Sequence, residues 1–292
     1  MGAAMAQCQR TLDFKAWGAT AAPKLAALIA VLLGWAQPAF ADGAAVIVQG
    51  GPWRLAGRVY QSEVISARPH LVVVLHGDSP FGDPTYQYTF ARRAAAALGD
   101  AVVVGLLRPG YRDGLGGISG GERGATTGDN YTPDRIDSLS GAVEALAARY
   151  HASDVTLVGH SGGSAISADI LALHPGLASR ALLVSCPCDL PTFRRQMFFR
   201  QRLLGWLLPV ASISPQDVVA RIPKAVVVRM VTGSADPVAS PSLTLAFADA
   251  LRARGGDATV TVLPGLGHDI LLDRHVMDQL RALIGPRTTV SR

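Results

Sequence analysis

The sequence predicts an α/β protein in which a mostly parallel sheet is flanked by helices. Three observations point there. Short valine-rich runs such as Leu71–Leu75 and Ala101–Leu106 are apolar throughout, as strands covered on both faces are. Segments with helical spacing of apolar residues separate these runs, which implies right-handed crossovers between parallel strands. The stretch Val155–Ala165 is a β-branched run that stops at Gly159 and continues at once as a helix to about His174, with Ser161 at the apex of the turn.

In chain order, Ala44–Val48 and Leu55–Tyr60 read as an opening antiparallel pair at one edge. Leu71–Leu75 follows as a buried strand, Tyr88–Leu98 as a helix and Ala101–Leu106 as the next strand. Arg108 to Tyr131 carries neither period and is a glycine-rich loop, of a length that is functional or mobile in most compact domains. Pro133 opens a helix to about Tyr150 with Ile136, Leu139, Val143 and Leu146 on one face. After the turn at Ser161 come a strand at Ala181–Ser185 and a helical, aromatic-bearing insertion at about 189–223. Strand Ala225–Val231, helix Pro241–Arg254, strand Thr259–Leu263 and a closing helix Asp269–Ile284 complete the chain.

The 292 residues have ample length for a core, and no boundary within 42–292 suggests a second domain. Residues 1–41 read as an export signal: Arg10, Lys15 and Lys24 precede the apolar run Leu25–Trp35, and Ala39-Phe40-Ala41 offers a small-x-small cleavage site. That run is too short for a membrane span, which needs roughly 20 apolar residues. A periplasmic or secreted protein is therefore expected, with no stable span after signal removal. Arg10, Lys15 and Lys24 would leave together with Asp13, so 24 basic and 21 acidic residues remain, a net +3. This balance implies no strongly charged partner. The densest basic cluster, Arg194 to Arg202, is interleaved with Phe and Leu, and suits an amphipathic segment better than a nucleic-acid patch. Cys186 and Cys188 flank Pro187. They could close a small disulfide ring in an oxidising compartment, but two reduced thiols at a strand end are the expected state. No second Cys or His pair lies at ligand spacing, and no phosphate-binding glycine fingerprint appears, so neither metal nor cofactor is implied.

Gly159-His160-Ser161-Gly162-Gly163 after a strand and before a helix has the form of a nucleophile elbow. Residues two before and two after a serine held in strained backbone pass close together and must lack bulk, which Gly159 and Gly163 satisfy. The pentapeptide alone also suits a glycine-rich turn with an N-cap serine, so the chemistry depends on partners. A serine hydroxyl needs a base to take its proton, and an imidazole needs a carboxylate to hold its other nitrogen. In an open α/β sheet such groups gather beyond the carboxyl ends of strands. Asp236, after Ala225–Val231, and His268, after Thr259–Leu263, meet both requirements. Of the competing carboxylates, Asp269 is better placed to cap the last helix and Asp257 precedes a strand, leaving Asp189 as the one credible substitute.

With Ser161, Asp236 and His268 in that order, the chain resembles a serine hydrolase of the α/β-hydrolase superfamily, over about Leu71 to Ile284. The resemblance implies that fold with a cap-like insertion, and acyl transfer through an acyl-enzyme on Ser161. It also implies an oxyanion hole formed by the N–H groups of Asp78, from His76-Gly77-Asp78, and Gly162. The histidine at position 76 is structural in this reading. A carboxylate at position 78 turned inward would oppose the oxyanion, so Asp78 is expected to face solvent, or else a cationic group of the substrate. Phe193, Phe198 and Trp206 in the insertion suggest an apolar acyl or leaving-group site, or simple packing on the sheet. The favoured substrate is a small-molecule ester. A short peptide is the alternative, because Arg108-Pro109-Gly110-Tyr111 resembles a segment of prolyl-peptide-cleaving hydrolases, and Glu122 or Asp129 could then receive the substrate amine. A catalytically silent module on the same fold is the remaining class. Oligomeric state is left open.

Overall fold

A computed structural model describes residues 43–285. The expected export segment lies outside the described residues. Eight strands form one sheet: β1 (Ala44–Gly50), β2 (Trp53–Gln61), β3 (His70–Leu75), β4 (Ala101–Leu106), β5 (Asp154–His160), β6 (Arg180–Val184), β7 (Val227–Gly233) and β8 (Asp257–Leu263). Their order across the sheet is β1-β2-β4-β3-β5-β6-β7-β8. The edge pair β1–β2 and the pair β2–β4 are antiparallel, and all other pairs are parallel.

Among the described residues seven α-helices accompany them: α1 (Tyr86–Ala97), α2 (Pro133–Arg149), α3 (Gly162–Leu173), α4 (Leu190–Gln201), the single turn α5 (Pro215–Val218), α6 (Pro241–Ala253) and α7 (Arg274–Ile284). The alternation of side chains along β3 shows why its apolar run is unbroken. Leu71, Val73 and Leu75 pack with Ile136 and Leu139 of α2 and Ile166 of α3 on one face. Val72 and Val74 pack with Phe90 of α1 and Leu280 of α7 on the other.

The strand ends that matter are in step. Leu75 is level with Gly159, His160 with Val184, and Gly233 with Leu263. The segments that follow β3, β5, β6, β7 and β8 therefore leave the sheet at one edge.

Two expectations need correction: where the last helix begins and the state of the two cysteines. The closing helix starts at Arg274, not Asp269, and its cap is Asp273, whose carboxylate accepts from the N–H of His275 at 2.8 Å. The residues between are occupied by turns that set His268, so helical spacing carried the helix one turn too far. The loop 108–131 is anchored, as Arg108, Tyr111 and Tyr131 are among the largest fully buried side chains. It also closes on itself through an antiparallel bridge between Arg112 and Ile118. Cys186 and Cys188 are joined as a disulfide with Cα atoms 5.1 Å apart, within the span such a bond requires. Asp189, weighed only as a substitute for Asp236, is the N-cap of α4 and accepts from Thr192 N–H at 3.0 Å.

The helix behind the elbow is apolar all round, with every residue from Gly162 to Ala172 buried. It nevertheless contains Asp169, and neither carboxylate oxygen has a hydrogen-bond partner among the described residues. Burial, then repulsion from Asp217, raises its pKa well above the usual carboxylate value. The folded state thus holds a proton that the unfolded chain releases above about pH 4, and stability drains away as pH rises. Asp169→Asn keeps the shape without the proton requirement. Thermal melts should show the variant gaining on the wild type steadily between pH 4 and pH 7.

Candidate active site

Ser161 sits between β5 and α3 with φ 51° and ψ −122°, a region that L-residues avoid. The glycines around it explain how the chain tolerates this. A Cβ on Gly159 would collide with the Gly163 carbonyl and Ser164 Cα, and one on Gly163 with the carbonyls of Leu75 and His76. A Cβ on Gly77 would come within 2.9 Å of Ser161 Cβ. The backbone N–H of Ser161 is anchored to the Val184 carbonyl at 2.8 Å.

The acid and histidine turns are laced together. Ser234 N–H donates to the Leu263 carbonyl and Ala235 N–H to the Leu266 carbonyl, both at 2.9 Å, while Gly265 N–H donates to Ser234 Oγ at 2.8 Å. This sets Asp236 under His268. Asp236 Oδ2 lies 2.8 Å and Oδ1 3.1 Å from His268 Nδ1, and Oδ1 also accepts from the N–H groups of Val238 and Ala239. His268 Nε2 lies 2.9 Å from Ser161 Oγ. A carboxylate on Nδ1 fixes the neutral ring with its proton there, leaving Nε2 free to accept from the hydroxyl. The His268 carbonyl is held in turn by Ser185 Oγ at 2.9 Å and His160 Nε2 at 3.0 Å.

Three sequence-proposed residues therefore meet in one place. Gly162, as the first residue of α3, carries an N–H that the helix leaves without an acceptor. Asp78 N–H donates to no acceptor among the described residues.

The Asp78 side chain is where expectation fails. It is 2% exposed and points inward, with Oδ1 2.8 Å from Arg108 Nη1. Oδ2 accepts from Tyr131 OH at 2.6 Å and Gly128 N–H at 2.8 Å. A Cβ on Gly162 would lie 2.5 Å from both Asp78 Oδ1 and Tyr131 OH, so the carboxylate abuts the elbow. Its cationic partner is neither solvent nor substrate but the chain's own Arg108. Burial opposes the Arg108 charge, yet Tyr111, Asp78 and Tyr131 outweigh it and raise the pKa. The guanidinium also lies 5.3 Å from the Tyr111 ring and 5.5 Å from the Tyr131 ring.

A second network was not legible in sequence. Tyr86 OH accepts from Gly77 N–H at 2.5 Å and donates to His160 Nδ1 at 3.0 Å. It thereby ties the loop after β3 to the elbow. His160 lies inside the pentapeptide, but nothing in the spacing marked Tyr86 as its partner. His76 acts structurally, accepting from Arg108 N–H on Nε2 at 3.1 Å and meeting the Gly77 carbonyl through Nδ1 at 2.7 Å.

The remaining proposed contacts do not gather here. Phe193 is buried in the core and presents no surface to a substrate. Trp206 packs edge-on against Phe193 at 5.8 Å and donates to Gln201 Oε1, and Phe198 packs on Phe199. All of these contacts lie within the insertion itself, which favours packing over substrate binding. Glu122 is exposed, and the contact that fixes it is its backbone carbonyl, which accepts from Arg135.

No protein-family model matches the chain, and no curated protein sequence does. Solved structures do. Est1E from Butyrivibrio proteoclasticus superposes with a TM-score of 0.62 at 15% identity, covering 83% of this chain and 99% of that one. The Pyrococcus furiosus esterase Pf2001 gives 0.61 at 14%, covering 83% and 91%. The Pyrococcus horikoshii acylaminoacyl peptidase gives 0.61 at 13%, covering 82% of this chain and 40% of that one. The fold is that of the α/β-hydrolases.

Burial lowers the pKa of His160 to about 4, with the nearby His268 adding to it, and lowers that of His70 to about 4, with Arg180 adding. Both rings are neutral in the folded protein, whereas the unfolded chain takes up their protons below about pH 6.5. Their stabilising contribution is complete above that pH and is lost as pH falls toward 4. His70 is remote from Ser161, its Nε2 lying 2.8 Å from Thr156 Oγ1. In urea melts, His70→Gln should therefore gain on the wild type as pH is lowered from 7 to 5.

Proposed function

We propose that this α/β-hydrolase-fold protein is a serine hydrolase that cleaves an ester through an acyl-enzyme on Ser161. The observation that carries the reading is the continuous line from Asp236 through His268 to Ser161 Oγ, at 2.8 and 2.9 Å. In this reading His268 Nε2 takes the Ser161 proton as Oγ attacks the carbonyl carbon. Asp236 stabilises the imidazolium that results, and the N–H groups of Asp78 and Gly162 receive the oxyanion. His268 then returns its proton to the leaving group. Water, deprotonated by the same nitrogen, attacks the acyl carbon, and the proton passes from His268 to Ser161 Oγ as the Oγ–carbon bond breaks and the acid leaves.

An ester is favoured because the match takes in 91% of the Pyrococcus esterase, and because Est1E has been captured with ferulic acid bound. A peptidase is the second reading, supported by the peptidase match. The buried disulfide supports export, since such bonds persist in oxidising compartments.

Ser161→Ala should lower turnover by roughly 10⁴–10⁶-fold with the fold intact. A fluorophosphonate probe should label the wild type and not the variant; full activity of the variant on acyl esters refutes the assignment. A panel of p-nitrophenyl esters beside aminoacyl and prolyl amides then separates esterase from peptidase.

Arg108 has a positioning role in this scheme, because it balances a carboxylate lying against the oxyanion site. Arg108→Gln leaves that charge unpaired, and should lower kcat by about 10²–10³-fold with KM little changed. It should also cost about 3–5 kcal/mol of stability. Adding Asp78→Asn removes the charge and should restore most of both, read from kcat, KM and a urea melt of each member of the cycle.

A further inference from the structure

The insertion between β6 and β7 carries a surface that hydrolysis at Ser161 does not use. From Leu190 to Gln216 it holds four arginines and no acidic residue. Phe199, Leu203, Leu204, Leu207 and Leu208 fall within ten residues and are between 56% and 74% exposed. Single exposed leucines are ordinary, but a contiguous group of this size marks an interaction surface.

The exposure is built in. Arg194 is buried and donates to the carbonyls of Gly205 at 2.9 Å and Leu208 at 3.0 Å, and to that of Thr127 at 3.3 Å. Its guanidinium lies 5.5 Å from the Trp206 ring, and that ring packs on Phe193. The turn is thus pinned through its backbone and its tryptophan, with the leucines left facing out.

The other three arginines lie within or next to this apolar group along the chain. Arg195 borders the same hollow as Leu207 and Leu208, with Asp217 the one acid lining it, and the Arg202 guanidinium lies 5.8 Å from the Phe199 ring. Arg195, Arg200 and Arg202 are exposed and have no ion-pair partner among the described residues.

We infer that this turn docks on an anionic lipid bilayer, with the leucines and Phe199 entering the headgroup–acyl boundary and the three arginines meeting lipid phosphates. Charge selects the lipid over the alternatives. Two copies of this chain joined about a twofold axis would bring the unpaired arginines of one against those of the other. A nucleic acid would satisfy the arginines and leave the leucines in water. An anionic bilayer satisfies both, in the arrangement that interfacial segments use.

The test is co-sedimentation of the full chain with vesicles of equal phosphatidylglycerol and phosphatidylcholine, and with phosphatidylcholine alone. Because the readout is binding, it stands or falls separately from the hydrolase reading. The wild type should bind the anionic vesicles and bind phosphatidylcholine weakly. Neutralising Arg195, Arg200 and Arg202 to Gln together should reduce anionic binding about 100-fold, since each basic group near such a surface is worth roughly fivefold. Leu204→Glu with Leu207→Glu should abolish binding to both. These side chains are already in solvent, so circular dichroism and hydrolysis of a soluble p-nitrophenyl ester should be unchanged. Absence of wild-type binding to either vesicle overturns the proposal. So does binding that survives in both variants, which would place it on another part of the chain, such as the apolar run Leu25–Trp35. A dimer in sedimentation velocity that the leucine variant dissolves also overturns it, in favour of self-association.

Discussion

The structure depends on how closely three backbone segments can approach at the carboxyl edge of the sheet. The end of β3, the end of β5 and the start of α3 meet around Ser161, where a side chain on Gly77, Gly159 or Gly163 would overlap a neighbour. The chain thereby holds a serine at positive φ, with its hydroxyl presented and two N–H groups nearby. Everything that positions the imidazole follows from the same edge. The turns after β7 and β8 bond to each other, and the His268 carbonyl is bound by donors from the elbow and from Ser185. Strain at one residue is over-determined by packing and hydrogen bonds at many.

In the proposed mechanism, a negative charge beside the oxyanion site is a liability unless it is balanced where it stands. Asp78 is balanced by a guanidinium, a phenol and a backbone N–H. The carboxylate then serves as a strut: it joins the end of β3 to the loop after β4, and to Tyr131 at the threshold of α2. The long glycine-rich loop is thus part of the wall of the site, held by buried side chains where its composition suggests freedom. Arg194 reaches the same loop from the insertion through the Thr127 carbonyl. Cap, loop and oxyanion side are therefore one connected body of polar contacts, with the exposed leucines at its outer end.

How much of this the sequence determines by itself can be stated residue by residue. Valine-rich runs and helical spacing located the strands and the long helices, because burial of a strand on both faces leaves an unbroken apolar run and burial of one helix face leaves a period, and neither needs a partner to be read. Glycines at 159 and 163, with Asp236 and His268 at strand ends, marked the triad candidates, because sheet topology alone carries such ends to one edge. Only the tertiary structure decided where charges point. Asp78 was expected in solvent because a local reading cannot see Arg108, thirty residues on, arriving beneath it. Tyr86 and Tyr131 joined the site for the same reason, and so did the displacement of the last cap from Asp269 to Asp273. The oxidised state of Cys186 and Cys188 likewise depends on the distance between their Cα atoms, which spacing alone does not give. Periodicity records which face is buried, whereas pairing between distant polar groups exists only once the chain is folded.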